Sequence, residues 1–237
     1  MGSRREKRAR SPEKHIGYHE LLDALAAPGC PACRRAEESS EQAIETLLYE
    51  GVNDPGNRRE MADAGGFCWH HAWRLAGRRD VLGTALLHRD LVATFARAAR
   101  AARPPSRGKA RNIARTCPLC VIRADTARRV LEELVAQLGD EALIRAFKDS
   151  DGLCRSHFED AIELGGGMTA LPELQTACLE RLTAQLDELV AKQDYRRASE
   201  PPGDEADAWL RAVASISGLN IWTLPARRSR GVPPVKR

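Results

Sequence analysis

The sequence of 237 residues is poor in aromatic residues, which make up 5% of it, and it contains no long apolar run. Because a helix needs roughly 20 consecutive apolar residues to cross a bilayer, we expect no membrane partner. Residues 1–5, Met-Gly-Ser-Arg-Arg, also lack the apolar core of a secretory signal peptide. We therefore expect a cytoplasmic protein.

The sequence also lacks segments in which apolar and polar residues alternate, which is the pattern of a half-buried β-strand. Ala, Leu, Arg and Glu dominate instead, and these residues favour helix. No glycine-rich phosphate loop, HExxH or GxSxG motif is present, and the carboxylates form no paired signature. The sequence predicts an all-α fold with no catalytic residues, so a binding protein is favoured over an enzyme.

The cysteines follow a clear pattern, because six of the seven stand in short motifs. A CPxC motif and a later CxxH motif occur twice, with 34 residues between Cys33 and Cys68 and 33 between Cys120 and Cys154. In a reducing cytosol such pairs indicate metal or redox chemistry more than structural disulfides. The motif residues are Cys30, Cys33, Cys68, His71, Cys117, Cys120, Cys154 and His157.

Three thiols and one imidazole form a common ligand set of tetrahedral structural zinc, and each short motif allows both of its donors to reach one ion. We therefore interpret the motifs as two Cys₃His zinc sites, one in each half of the chain. The sequence leaves open whether ligands are exchanged between the halves. An iron–sulfur cluster is the less favoured cofactor, because Cys₃His is an unusual cluster set.

The repeat assigns the fourth ligand of the first site. His70 and His71 are adjacent, but their counterparts in the second copy are Ser156 and His157, so only His71 has an equivalent histidine. We expect His70 to lie at the surface or beside the site. Cys178 has no equivalent and is predicted to be a core thiol, and His15, His19 and His88 lack ligand partners nearby in the sequence.

The helix signals divide the chain into two related units, an internal duplication. Each CPxC cysteine is placed to cap a helix whose first residue is proline, and each unit continues with a short helix, a CxxH helix and a long helix. The predicted metal site of each unit therefore lies between helix N-termini. The predicted domains are a disordered basic arm over 1–15, a first half over 16–103, a basic linker over 104–115, a second half over 116–198, a linker with a short apolar helix or docking segment over 199–225, and a disordered basic tail over 226–237.

Positive charge is concentrated at the two ends of the chain and in the segment that joins the halves. Residues 97–115 contain six arginines and one lysine without any acid, and the N-terminal and C-terminal segments are also basic, whereas the overall charge is only +4. Basic segments of this kind attract nucleic acid or an acidic protein, although solubilising tails have the same composition. We predict a metal-stabilised helical scaffold that binds another macromolecule.

The alternative function is a redox-responsive or metal-responsive protein that works through the same cysteines. A CPxC motif at a helix start also occurs in thiol–disulfide proteins, where the first cysteine is an activated thiolate. Such motifs usually follow a strand, and neither motif here does.

The arrangement resembles an uncharacterised bacterial family that is known only as a domain of unknown function. The residues that carry the resemblance are Cys30, Cys33, Gly66-Phe67-Cys68, His71, Cys117, Cys120, Gly152-Leu153-Cys154 and His157-Phe158. It spans roughly residues 20–195, and it implies the duplicated site without implying an activity.

Overall fold

The fold is all-α, as predicted. The structure is a computed structural model that describes residues 16–100, 117–197 and 199–218, and no β-strand occurs in these ranges. The helices are α1 (Ile16–Ala26), α2 (Pro31–Thr46), α3 (Pro55–Ala64), α4 (Trp69–Gly77), α5 (Val81–Arg100), α6 (Pro118–Ala136), α7 (Glu141–Asp149), α8 (Arg155–Glu163), α9 (Leu171–Ala191) and α10 (Ala208–Ser217), with a π-helical turn at Leu47–Gly51 and a 3₁₀ turn at Gly166–Met168.

Each of the four metal motifs begins a helix. The carbonyl groups of Cys30, Cys68, Cys117 and Cys154 accept hydrogen bonds from the amides four residues later, at 2.9–3.1 Å. Proline occupies the first position of α2 and α6, where the missing N–H costs no helical hydrogen bond. The predicted helix starts at all four motifs are therefore confirmed.

The order of helices is the same after each CPxC motif. The CPxC helices α2 and α6 are followed by short helices α3 and α7, then by CxxH helices α4 and α8, and then by long helices α5 and α9. Helices α4 and α8 both have 9 residues, and α5 and α9 have 20 and 21. This agreement is what a duplication predicts.

The compact units of the structure nevertheless cut across the sequence halves. One unit, here unit 1, comprises Met1–Arg34 and Arg128–Arg237, and the other, unit 2, comprises Arg35–Ala127. The boundaries fall inside α2 and α6, directly after the first CPxC motif and about two turns after the second. Unit 1 therefore contains the first CPxC motif with the second CxxH motif, and unit 2 contains the reverse pair.

In unit 1, α7 packs against α1 and α9, and α10 packs against α8 and α9. The predicted short helix near residue 210 is thus α10, and it docks through the buried residues Ala208 and Ala214. Trp209, on the same helix, is 55% exposed. Buried apolar side chains of this unit include Tyr18, Leu21, Leu25, Leu131, Leu134, Leu143, Phe147, Leu171, Leu174 and Leu182.

In unit 2, α5 packs against α3 and α4 around one apolar cluster. Its buried members are Ile44, Val52, Met61, Phe67, Leu75, Leu87, Cys117 and Leu119. The cluster includes a metal-motif cysteine, so the CPxC motif at the start of α6 is part of the core of this unit.

Several predicted segments lie outside the described residues, namely the basic arm over 1–15, the basic linker over 104–115 and the tail over 226–237. His15 and the apolar residues Leu219, Ile221 and Trp222 also lie there. Among the residues that are described, no helix combines the length and the apolar character needed to cross a membrane.

Candidate metal centres

The eight predicted ligands form two groups, and each group takes its motifs from both halves of the sequence. Site 1 consists of Cys30, Cys33, Cys154 and His157, and site 2 consists of Cys68, His71, Cys117 and Cys120. In each group the four ligand atoms all lie within 4.8 Å of one another. The interpretation of one site per sequence half was wrong, because each CPxC helix start packs beside the CxxH helix start of the other half.

At site 1, the imidazole Nδ1 of His157 faces three sulfurs at similar distances. It is 3.4 Å from the Sγ of Cys30, 3.3 Å from that of Cys33 and 3.3 Å from that of Cys154. The sulfurs of Cys33 and Cys154 are 3.6 Å apart. All three cysteines are buried, so the site is closed on the thiol side.

Neutral hydrogen bonds hold the loop that carries Cys154. The buried side chain of Gln175, on α9, accepts a bond from the amide of Leu153 at 2.8 Å and donates one to its carbonyl at 2.9 Å. Gly152 has a φ of +71°, and a Cβ there would lie 2.7 Å from the Oε1 of Gln175, so glycine is required. Gln175 thereby fixes the backbone immediately before the ligand.

A second contact links the two motif loops of site 1. The carboxylate of Asp151 accepts a hydrogen bond of 2.7 Å from the amide of Gly29, which directly precedes Cys30. Arg211, on α10, lies 3.7 Å from the same carboxylate, and an ideal Cβ on Gly218 would lie 3.8 Å from the Sγ of Cys33. The C-terminal end of α10 therefore borders site 1.

The protonation pattern of site 1 follows from this crowding. Burial raises the pKa of Cys30, whereas hydrogen bonds from the Cys30 and Cys33 thiols lower the pKa of Cys154. Burial by itself lowers the pKa of His157, but its hydrogen bonds with Cys154 and Cys33 outweigh that effect and raise the pKa to about 10. These directions describe a Cys154 thiolate beside a protonated imidazole, a pair in which a cation would replace the proton.

At site 2, Nδ1 of His71 is again the atom that faces the sulfurs. It lies 3.2 Å from the Sγ of Cys68, 3.5 Å from that of Cys117 and 3.4 Å from that of Cys120. The sulfurs of Cys68 and Cys120 are 3.6 Å apart. Cys68 and Cys120 are half-buried, so this site is more accessible on its thiol side than site 1.

A network of buried ion pairs lies in the same unit as site 2, on the helices that carry its ligands and on α2. Glu37, which is 5% exposed, pairs with Arg123 of α6 and with Arg74 of α4 at 3.6 Å. Glu41 pairs with Arg74 of α4 and with Arg78, the residue that follows α4. Because Arg74 and Arg123 each follow a residue of site 2 by one helical turn, the network ties α2, α4 and α6 together next to the site.

The arginines of this network act on both histidines of α4. Burial lowers the pKa of His71 to about 4, with a further contribution from the positive charge of Arg123. Burial also lowers the pKa of His70. The Nε2 atoms of both rings are buried and have no hydrogen-bond partner among the described residues. His71 is therefore neutral near pH 7, which is the form that binds a metal ion.

The remaining predicted residues lie where the sequence analysis expected them. His70 is half-buried and packs edge-on against His71, with ring centroids 5.1 Å apart, and it does not belong to the ligand group. Cys178 is 2% exposed and contacts the carbonyl of Phe147, as a core thiol would. His19 is exposed and His88 contacts the carbonyl of Thr84, so neither joins a ligand group.

Sequence reasoning missed the residues that support the sites, namely Gln175, Glu37, Arg74 and Arg123. For two of them a signal existed, because Arg74 and Arg123 each follow a residue of site 2 by three residues in a helix, whereas Glu37 follows only Cys33, a residue of site 1. Such residues share a face with the ligand. Gln175 gave no comparable signal, since it contacts a backbone 22 residues away.

The geometry of both sites fits a single metal ion better than a disulfide. Sulfur atoms 3.6 Å apart are too far apart for a disulfide bond of about 2.05 Å. All seven cysteines are free thiols. A tetrahedral ion with bonds of about 2.3 Å to sulfur and about 2.0 Å to nitrogen places its ligand atoms about 3.5–3.8 Å apart, which is close to the distances seen here. Each group could hold one metal ion.

Residues 15–113 match the model of a family that is described as a family of unknown function (DUF6062). The chain is also 25% identical over 204 residues to an uncharacterised 23.9 kDa protein in the xynA 3′ region of Caldicellulosiruptor sp. (strain Rt8B.4), a match that covers 84% of this chain and 99% of that protein. No solved structure matches the chain. The resemblance to an uncharacterised family without an assigned activity is thus confirmed for residues 15–113.

Proposed function

We propose that this protein is a helical scaffold that two structural zinc ions hold together and that binds another macromolecule. The observation that carries the proposal is the pair of closed Cys₃His groups, each with four ligand atoms within 4.8 Å of one another. Each zinc ion joins two helix N-termini that are distant in the sequence, since Cys33 and Cys154 of site 1 are 121 residues apart and Cys68 and Cys120 of site 2 are 52 residues apart. The role of the metal is therefore architectural.

Zinc is favoured over an iron–sulfur cluster by the spacing of the ligands. A cluster places several iron and sulfide ions between its ligands, so cysteines on different irons lie farther apart than cysteines on one ion. Here the sulfur–nitrogen distances of 3.2–3.5 Å span all three cysteines of each site. Helix N-termini add positive dipoles next to the sulfurs, and these favour thiolates.

The interaction role is supported by exposed aromatic residues in unit 2. Trp69 and Trp73 lie one turn apart on α4, and their side chains are 78% and 73% exposed. The corresponding positions of α8 are the charged residues Arg155 and Glu159. Tryptophan is the side chain that contributes most often to binding energy at protein interfaces, so α4 presents a surface suited to a partner.

The proposal is tested by elemental analysis of the purified protein together with its visible spectrum. We expect two zinc ions per chain and no absorption in the visible range. A brown protein with iron and acid-labile sulfide would overturn the zinc assignment, and a protein that folds without any bound metal would overturn the scaffold itself.

A second candidate is a thiol switch at site 2, because two of its three cysteines, Cys68 and Cys120, are half-buried and lie 3.6 Å apart. Oxidation by peroxide would join these two sulfurs as a disulfide, release the zinc ion and produce two molecules of water per two-electron reduction of the peroxide when two protons are supplied. Zinc release at micromolar peroxide, reversed by a dithiol, would support this function. Retention of both ions under those conditions would contradict it.

A further inference from the structure

Unit 2 contains an open groove. It encloses about 650 Å³, which lies within the range of ligand-binding sites in proteins. Its walls come from α2, α3 and the start of α6, and the residues before α4 close one side. The groove therefore shares α6 with site 2, because the start of this helix carries Cys117 and Cys120.

The floor of the groove is apolar. The side chains of Met61, Phe67 and Leu119 belong to the core cluster of the unit, and Ala43, Leu47 and Ile122 pack against that cluster. Methionine adapts its shape to different apolar partners. A ligand that enters the groove would therefore cover apolar surface that continues directly into the core.

The rim of the groove is acidic. Glu50, Asp54 and Glu60 line it, and none of the described residues that line it is lysine or arginine. Asp54 caps α3 through the amide of Gly56, so its carboxylate has a structural role as well. Glu50 and Glu60 are exposed and face no cation of the described groove wall, so their charge is available to a ligand.

The groove also coincides with an irregular helix end. Helix α2 passes into the π-helical turn Leu47–Gly51, and Leu47, Glu50 and Gly51 all line the groove. The side-chain amide of Asn57 donates to the carbonyl of Gly51 at 3.2 Å and holds the turn against α3. π-helical turns inside α-helices are frequent at functional sites. The turn brings one apolar and one acidic side chain to the same cleft.

We propose that this groove binds a basic peptide segment of another protein, one in which lysine or arginine residues alternate with apolar side chains. The acidic rim and the apolar floor are complementary to such a segment in charge and in surface, and helical walls of this kind accept amphipathic peptides. The proposal rests on the scaffold function proposed above and specifies the class of partner.

The test measures binding of a fluorescent sixteen-residue amphipathic peptide made of Leu, Ala and Lys to the full-length, metal-loaded protein. The control peptide carries Glu in place of every Lys. We expect the basic peptide to bind, the acidic peptide not to bind, and the double variant Glu50→Lys/Glu60→Lys to weaken binding at least tenfold. The matched control is Glu163→Lys/Glu180→Lys, which makes the same change of charge at exposed positions of unit 1.

A second variant separates shape from charge. Ala43→Trp fills the groove without altering its charge, and we expect it to weaken binding as strongly as the double variant does. Circular dichroism and the zinc content of each variant verify that the scaffold is intact, so failure of the groove and failure of the scaffold give different results.

Three outcomes would overturn the proposal. The first is a protein with two zinc ions that does not bind the basic peptide, and the second is an equal loss of binding in the unit 1 control. The third is protection of residues 101–116 from trypsin that the groove variants abolish, because that result would place the basic segment of the chain itself in the groove.

Discussion

Sites 1 and 2 have the same ligands and the same helix starts, but different surroundings. Site 1 is supported chiefly by the two hydrogen bonds of Gln175 to Leu153 and by the hydrogen bond from Gly29 to Asp151, and all of its cysteines are buried. Site 2 lies beside the charged pairs of Glu37 and Glu41, and two of its cysteines are half-buried. One set of candidate ligands is therefore closed in unit 1 and more accessible in unit 2.

Removal of the metal should have the largest effect on stability, and the two sites should lose their ions one after the other. Structural zinc contributes about 10–16 kcal/mol of apparent binding energy, which equals or exceeds the stability of a typical domain. We expect a chelator to remove the ion of site 2 first and that of site 1 later, with helicity lost in two steps. Circular dichroism recorded alongside zinc release checks this. Loss of both ions without loss of helicity would contradict the structural role.

Loss of an ion pair from the charged network of Glu37 should lower the stability of unit 2 alone. Removing one partner of a buried ion pair costs about 3–5 kcal/mol, and because Arg123 is partly exposed we expect Glu37→Gln to cost about 3 kcal/mol. Glu38→Gln is the matched control, since its pair with Arg35 is a surface pair worth about 1 kcal/mol or less. Urea unfolding followed by hydrogen exchange would locate the loss. Equal losses for the two variants would show that the network is not buried in solution.

Loss of the two Gln175 hydrogen bonds to Leu153 should weaken zinc binding only in unit 1. Gln175→Leu keeps the volume of the side chain but leaves the amide and the carbonyl of Leu153 without their partner, at about 1–3 kcal/mol for each buried group. We expect weaker zinc binding at site 1 and no change at site 2, as measured by competition with a chelator. The exposed Gln193 provides the control variant Gln193→Leu. Weakening of both sites alike would contradict the separation of the two units.

The smallest predicted difference is one of cysteine reactivity. In the metal-loaded protein we expect iodoacetamide to modify Cys68 and Cys120 about tenfold faster than Cys30 and Cys154, a difference of about 1.4 kcal/mol. The reason is exposure, because Cys30 and Cys154 are 3% and 1% exposed. Mass spectrometry of tryptic peptides over time gives the rates, with the core thiol Cys178 as the unreactive reference. Faster modification of Cys154 than of Cys68 would contradict the greater accessibility of the site 2 cysteines.

Local rules in the sequence were sufficient to predict the helices and the residues of the two candidate ligand groups. Proline after Cys30 and after Cys117 placed two helix starts, and the repeat distinguished His71 from His70. These features depend on residues within about one helical turn. They carry no information on which CPxC motif meets which CxxH motif, because a spacing of 34 or 33 residues is compatible with either pairing.

The pairing of the motifs and the supporting residues depend on tertiary packing. Helices α2 and α6 each begin beside one site and continue into the other unit, so the ligand Cys33 and the network residue Glu37 belong to different units although one turn separates them. The hydrogen bond between Gln175 and Leu153 likewise joins α9 to a distant loop. No rule based on neighbouring residues could have assigned either feature.

The exchange of motifs between halves is tested most directly by the zinc content of two double variants after dialysis against a chelator of intermediate affinity. Cys33→Ser/Cys154→Ser alters two ligands of site 1, and Cys33→Ser/Cys68→Ser alters one ligand of each site. We predict one zinc ion per chain in the first variant and none in the second. One ion in the second variant and none in the first would show that each half binds its own metal, and it would contradict the exchanged sites.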